Sequence, residues 1–411
     1  MGMTEYYRSR RAPAPNVSRD GAVGAEPARG DAMSFQTRVT WSESDQAAGM
    51  SLPAPYFYDE SIFQKERLHI FLKSWHLVAH VNELRAPGDF VTYDILDQSV
   101  IVTRSKEGGI QAFHNVCQHR GNRLLSVPRG HTPAITCGYH AWTYSMDGRL
   151  RGAPRTECIA GFDKSRHGLK PVRVEVFAAF VYVNLDPNAQ SVAEMAPGAE
   201  EQMRRYLPDL DRLKLIEQVD VPVAANWKVI QENSIEGYHF DYSGPVHKQL
   251  VQLIDFEGYR LEPHDKYWTY IGPPRKDVTQ AYGVPLAGAQ WQTDGFFNIG
   301  LWPNATIYAF PYADLVGTFI MNPTGPETSN LRFGYYGVEG REMSAVTKSC
   351  IRWMNEELGP EDIRLNISNQ KGLRSLGFAQ GRYLIADTLN NRGEHLVRHF
   401  HRLCHDAIQS S

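Results

Sequence analysis

Two short stretches of this 411-residue chain each pair a sulfur ligand with a nitrogen ligand: Cys117 and His119 in "CQHRG", and Cys137 and His140 in "CGYHAW". A spacing of one or two residues on a tight turn lets both side chains aim at a single centre, and Gly121 and Gly138 offer the backbone freedom that such turns need. Zinc also accepts two cysteines and two histidines, but its motifs commonly group cysteine with cysteine and histidine with histidine. One of each per loop suits a two-iron cluster, with both thiolates on one iron and both imidazoles on the other.

Two such loops need a rigid frame, and the surrounding sequence has the texture of one. From Gly88 onward, runs such as "DFVTYDI", "SVIVTRS", "IQAFHNV" and "AAFVYVNL" alternate or stay apolar between Asp-Gln, Gly-Gly and Asp-Gly turn signals. They predict an antiparallel β unit reaching to about residue 190, with both ligand pairs at loop tips. Ahead of it, "LPAPYFYDESIFQKERLHIFLKSW" predicts a helix with Ile62, Phe63, Leu68 and Phe71 on one side. Beyond it, "NWKVIQENSIEGYH" and "SAVTKSCIRWMNEELGPEDIRLNISNQKGLRSL" read as helices. The stretches "FNIGLWPNATIYAFPYADLVGTFIMNP" and "LRFGYYGVEG" read as strands of a second sheet. The fold class is α+β. Residues 51–190 form the first unit with its leading helix, and 191–411 the second.

Residues 1–50 are rich in Arg, Ala, Pro and Gly without any helical or strand period, and read as a disordered leader. Its acidic Asp20, Glu26 and Asp31 set it apart from a transit peptide. A formal charge of −3, from 43 basic and 46 acidic side chains, gives no field for nucleic acid or a membrane surface, and no apolar run is long enough to cross a bilayer. A soluble protein is expected. Five scattered cysteines show no disulfide spacing, so a reducing cytoplasm is the expected compartment.

"CQHRG" with "CGYHAW" closely resembles the Rieske [2Fe–2S] motif of the ring-hydroxylating, Rieske non-haem iron oxygenases. The resemblance implies a low-potential cluster held by Cys117, His119, Cys137 and His140, because the extra disulfide cysteines of respiratory Rieske proteins are missing. It extends to "NWKVIQENSIEGYHFDYSGPVH", similar to the run that opens the family's mononuclear iron site, and assigns iron(II) ligation to His239 and His247. These are eight residues apart where most relatives have five, with Gly244 and Pro245 marking a turn between them, and His264 is the reserve ligand. The third ligand implied is Asp362, after Gly359-Pro360 and before Gln370, with Glu361 as the fallback. Two histidines and one carboxylate leave coordination positions open for O₂ and substrate. The C-terminal unit is then the family's helix-over-antiparallel-sheet (Bet v 1/START-like) catalytic domain, and the resemblance runs from about residue 55 to 405.

The resemblance further implies a homotrimer in which one subunit's cluster serves its neighbour's iron, bridged by Glu236, one helical turn before His239. No dinucleotide-binding glycine loop follows a strand, so NAD(P)H would act through a separate flavin- or ferredoxin-type reductase. An electron carrier with no oxygenase activity is the alternative class, but a carrier has no use for the His239, His247 and Asp362 set. Glutamate at the bridge resembles the members that oxidise carnitine and glycine betaine, although Phe240 replaces the Cys that often follows their Tyr-His. The aromatics Trp268, Tyr270, Trp291, Phe296, Phe297, Trp302 and Tyr308 are expected near the pocket, suiting an N-methylated or quaternary amine, or alternatively an aromatic acid.

Overall fold

The computed structural model describes residues 40–207, 209–286, 295–386, 388 and 392–409. Its first seven-stranded sheet is antiparallel, in the order His76–His80, Phe180–Asn184, Pro171–Phe177, Ile110–His114, Gln98–Arg104, Asp89–Ile95, Arg129–His131. Strand alternation gives this sheet two jobs. Val100 and Val102 face the large common core, whereas Ile101 between them turns to a smaller cluster with Phe90, Phe113, Cys117 and Cys137. One face therefore anchors the sheet to the body, and the other seats the two cysteine loops. A small sheet of Ile135–Thr136, Thr143–Tyr144 and Leu150–Gly152 carries the second loop at its first hairpin.

The second seven-stranded sheet runs Leu213–Val223, Thr328–Val338, Val316–Gly325, Ala305–Ala309, Phe296–Leu301, Tyr267–Gly272, Arg260–Pro263, again antiparallel throughout. Its central strands Ala305–Ala309, Phe296–Leu301 and Tyr267–Gly272 are buried on both faces. Phe297, Ile299, Leu301 and Ile307 pack on Trp75, Leu77, Phe180 and Tyr182 of the first unit, while Phe296, Tyr308, Leu331 and Phe333 face the helices. The covering helices are Trp227–Ser234, Gly359–Leu373 and His395–Gln409. The last is strongly amphipathic, burying Leu396, Val397, Phe400, Leu403, Cys404 and Ile408. Lys228 and Glu66 form a buried ion pair, and Glu66 also accepts from the Trp227 indole at 2.9 Å, which ties the N-terminal helix to the second unit.

Two expectations need correction. The predicted leader ends early: Ser42 caps the short helix Glu43–Ala47 in a capping box, and Trp41 is buried edge-on against His405 at 5.3 Å. Composition hid this because a single tryptophan anchors it. The rest of the predicted leader lies outside the described residues. The helix Glu60–Glu66 passes into a π turn, Arg67–Phe71, whose extra residue rotates the face. Ile70 and Phe71 stay inside, but Leu68 is 47% exposed, so it does not join Ile62 and Phe63 in the core.

Candidate active site

The two cysteine loops are built alike. The Gly121 N–H donates to the Cys117 carbonyl at 3.0 Å, and the Ala141 N–H to the Cys137 carbonyl at 3.0 Å. The fifth residue of each turn is left-handed, with φ of 75° at Gly121 and 55° at Ala141. Gly138, expected to supply that freedom, does not adopt a positive φ; Ala141 does so in its place, at some backbone cost. Both sulfurs lie inside, at 2% exposure, whereas His119 and His140 reach the surface with ring centroids 4.6 Å apart. Trp142 stacks under His119 at 4.9 Å.

Hydrogen-bond donors converge on the sulfurs. The Tyr144 hydroxyl lies 3.3 Å from Cys117 Sγ, and the Asn122 amide 3.7 Å from Cys137 Sγ. Burial works against the Cys137 thiolate, but the N–H groups of Tyr139 and His140 outweigh it and hold its pKa below the ordinary thiol value. Burial and the neighbouring thiolate push Tyr144 up, so its hydroxyl stays a donor.

The second centre assembles three elements. His239 sits on the turn Tyr238–Asp241, His247 on the helix Pro245–Val251, and Asp362 in the first turn of Gly359–Leu373. The Nε2 atoms of the histidines are 3.2 Å apart, and Asp362 Oδ1 lies 3.1 Å from His247 Nε2 and 3.7 Å from His239 Nε2. Ligands at right angles on a metal with bonds of roughly 2.1 Å would stand about 3 Å apart, so the donor set fits one ion. The back of each ring is engaged: His239 Nδ1 donates to Glu236, and His247 Nδ1 donates to Glu361 at 2.7 Å. That fixes both tautomers with the Nε2 lone pairs facing the centre. Asp362 Oδ1 is buried and accepts no well-angled hydrogen bond, as a ligand atom awaiting a cation would be. Burial pulls the His247 pKa down, but the Asp362 and Glu361 carboxylates overcome it and leave it raised.

All three expected ligands thus meet, and His264 is not among them; it stacks on Tyr267 at 4.1 Å. Glu361 binds behind His247 and is not itself one of the three. Glu236 does not share a helix with His239, because the helix ends at Ser234 and Gly237 follows. Instead its carboxylate accepts the backbone N–H groups of Tyr238 and His239 as well as His239 Nδ1, so it caps the turn it orients.

Residues 74–163 match the Rieske [2Fe–2S] domain, and residues 210–410 match the ring hydroxylating alpha subunit (catalytic domain). The chain is 34% identical over 357 residues to the carnitine monooxygenase oxygenase subunit of Escherichia coli K12, covering 86% of this chain and 92% of that one. The chain belongs to the Rieske non-haem iron oxygenases. The glycine betaine monooxygenase oxygenase subunit of Pseudomonas aeruginosa UCBPP-PA14 is 38% identical over 244 residues, or 59% of this chain and 53% of the relative. The crystal structure of the quaternary ammonium Rieske monooxygenase CntA with L-carnitine superposes with a TM-score of 0.79 at 30% identity, over 89% of this chain and 97% of that one. This Rieske oxygenase is therefore an oxygenase subunit and an oxidoreductase. Among the described residues no helix is long and apolar enough to cross a membrane.

In this oxygenase a cavity of about 110 Å³ opens beside His239, His247 and Asp362, between the sheet and its covering helices. Of the aromatics expected there, Tyr270, Phe296 and Tyr308 line it. Trp268 and Trp302 lie deeper, packed on Phe400 at 6.0 and 6.1 Å, and Phe297 points to the opposite face, stacked on Tyr206 at 4.9 Å. Trp291 lies outside the described residues. Sequence reasoning missed Phe310, Phe319 and Phe333. Phe319 and Phe333 are cross-strand partners at 4.7 Å, a relationship visible only once the register Phe319↔Phe333 is known.

Proposed function

We propose that this chain is the O₂-activating component of a system completed by a separate reductase, oxidising an N-methylated or quaternary amine at a carbon bonded to nitrogen. The observation that carries the proposal is the convergence of His239, His247 and Asp362 on one point at the mouth of an aromatic-walled cavity. Residues 51–190 receive electrons and 191–411 perform the oxidation. Cys117 and Cys137 hold one iron of the cluster, and His119 and His140 the other. In support, His239, His247 and Asp362 present ligand atoms that all lie within 4.8 Å of one another.

An iron(II) held by the triad would supply O₂ binding and activation. The protein's own residues do the rest. Glu236 and Glu361 hold the imidazoles in the tautomer that presents Nε2. The ring faces of Tyr270, Phe296 and Phe310 attract a cationic head by roughly 0.5 to 2 kcal/mol each when desolvated. The surrounding Leu250, Leu331, Leu358 and Ile363 exclude water. Overall, a C–H bond becomes C–OH, the second oxygen atom leaves as water with two electrons and two protons, and the carbinol collapses to an aldehyde and an amine. Electrons start from NAD(P)H on a reductase in the cytoplasm. Exposed His119 and His140 meet Glu236 of the next subunit in a homotrimer, because within one protomer they face solvent.

Turnover with a surrogate reductase tests this reading. An aldehyde and an amine formed in step with O₂ consumption support it, and a hydroxylated arene with no aldehyde defeats it.

A further inference from the structure

The cavity wall contains a polar locus that the iron site does not use. Asn298 Oδ1, Thr306 Oγ1 and the Tyr308 hydroxyl are each buried without a hydrogen-bond partner, in residues 7%, 2% and 4% exposed. Strand register groups them: Asn298 pairs directly with Tyr308, and Thr306 lies two residues from Tyr308 on the same face. All three line the cavity that holds the triad. Buried polar atoms are almost always satisfied, so three adjacent unsatisfied ones facing a cavity mark where a ligand's polar group sits.

The chemistry of that group can be read from the locus. An amide Oδ1 only accepts, whereas the Thr306 and Tyr308 hydroxyls can donate. Burial holds Tyr308 far above the ordinary phenol value, so its proton is available. An alcohol answers both needs, donating to Asn298 and accepting from Tyr308 or Thr306. A carboxylate cannot donate, and it would require a counter-charge: the cavity lining contains no Lys or Arg. None of the internal residues outside the described set is Lys or Arg either.

We infer that the substrate is a methylated ammonium alcohol without a free carboxylate, its hydroxyl held by Asn298, Thr306 and Tyr308. This rests on the methylated-amine reading above and separates the chain from relatives named for carnitine and glycine betaine, both of which carry carboxylates.

Anaerobic calorimetric titration of the holoenzyme with four probes tests it: choline, glycine betaine, tetramethylammonium and the uncharged choline isostere 3,3-dimethylbutanol. Choline is expected to bind at least about tenfold more tightly than glycine betaine, the cost of burying an unpaired charge. Tyr308→Phe, a small change that keeps the ring, should weaken choline about three- to tenfold and leave tetramethylammonium unchanged, as loss of one hydrogen bond predicts. Glycine betaine binding as tightly as choline, or choline unaffected by both Tyr308→Phe and Thr306→Val, would overturn the proposal while leaving the amine reading intact. Equal binding of choline and 3,3-dimethylbutanol would overturn the amine reading, and the proposal with it.

Discussion

The carboxylate of Glu361 occupies the space that a side chain at Gly244 would need: a Cβ built there falls within 2.8 Å of Oε1 and closer still to Oε2. The same carboxylate accepts the His247 backbone N–H at 3.2 Å and its Nδ1–H at 2.7 Å. This contact explains how two histidines eight residues apart reach one point. Gly244 lets the chain press onto the helix Gly359–Leu373, Pro245 starts a new helix there, and Glu361 orients the imidazole that the helix presents.

Gly244→Ala should therefore weaken the mononuclear centre selectively. The added methyl must displace Glu361, and loss of a carboxylate behind a ligating histidine costs about 10- to 100-fold in metal affinity or activity. Iron analysis should show about one iron fewer per chain, with the brown visible absorption of the cluster retained. Loss of both together would point to misfolding and count against this role.

Glu236→Gln should retain both centres. The amide oxygen can still accept from His239 Nδ1, but the negative charge that the proposed electron path uses is gone. We expect turnover to fall by about 10- to 100-fold, with iron content and the reduced-cluster paramagnetic signal unchanged. Wild-type turnover would remove Glu236 from the electron path.

Much of this site was legible in the sequence because it is local. Cys117, His119, Cys137 and His140 lie on turns whose spacing declares them, and Asp362 follows a Gly-Pro pair that opens a helix. What was not legible depends on tertiary register. Phe319 and Phe333 join the cavity because two paired strands bring them to one face, and Phe310 because it follows the end of a third, while Trp268 and Trp302, equally aromatic, end up against Phe400. Leu68 was misjudged because a π turn breaks the 3.6-residue period. The left-handed Ala141 was missed because glycine is the residue that usually signals such a position, and here Gly138 drew the expectation instead.

Tyr144→Phe should lower the reduction potential of the cluster. The hydroxyl lies 3.3 Å from Cys117 Sγ and accepts the Gln118 N–H at 3.0 Å, so it is oriented to donate to the sulfur. Hydrogen bonds to cluster sulfurs stabilise the more negative, reduced state. Loss of a bond worth roughly 1 kcal/mol corresponds to about 40 mV for one electron. A redox titration followed by visible absorption reads the shift, and an unchanged or raised potential would exclude this role for Tyr144.

Two buried histidines predict how stability responds to acid. His76 donates from Nε2 to the Phe71 carbonyl at 2.7 Å, and His80 from Nε2 to the Leu210 carbonyl at 2.8 Å. Burial pulls the pKa of each down to about 4, against about 6.5 when exposed. Between those values the unfolded chain binds more protons than the folded one, so stability is full above about pH 6.5 and falls as pH drops toward 4. Each histidine contributes up to about 3 kcal/mol over that window. The melting temperature should be level from pH 7 to 8 and decline steadily from 6.5 to 5. His76→Asn, which keeps a donor but cannot titrate, should lower the melting temperature at pH 7.5 yet flatten the decline. A variant whose acid sensitivity matched that of the wild type would show that His76 is not among the groups responsible.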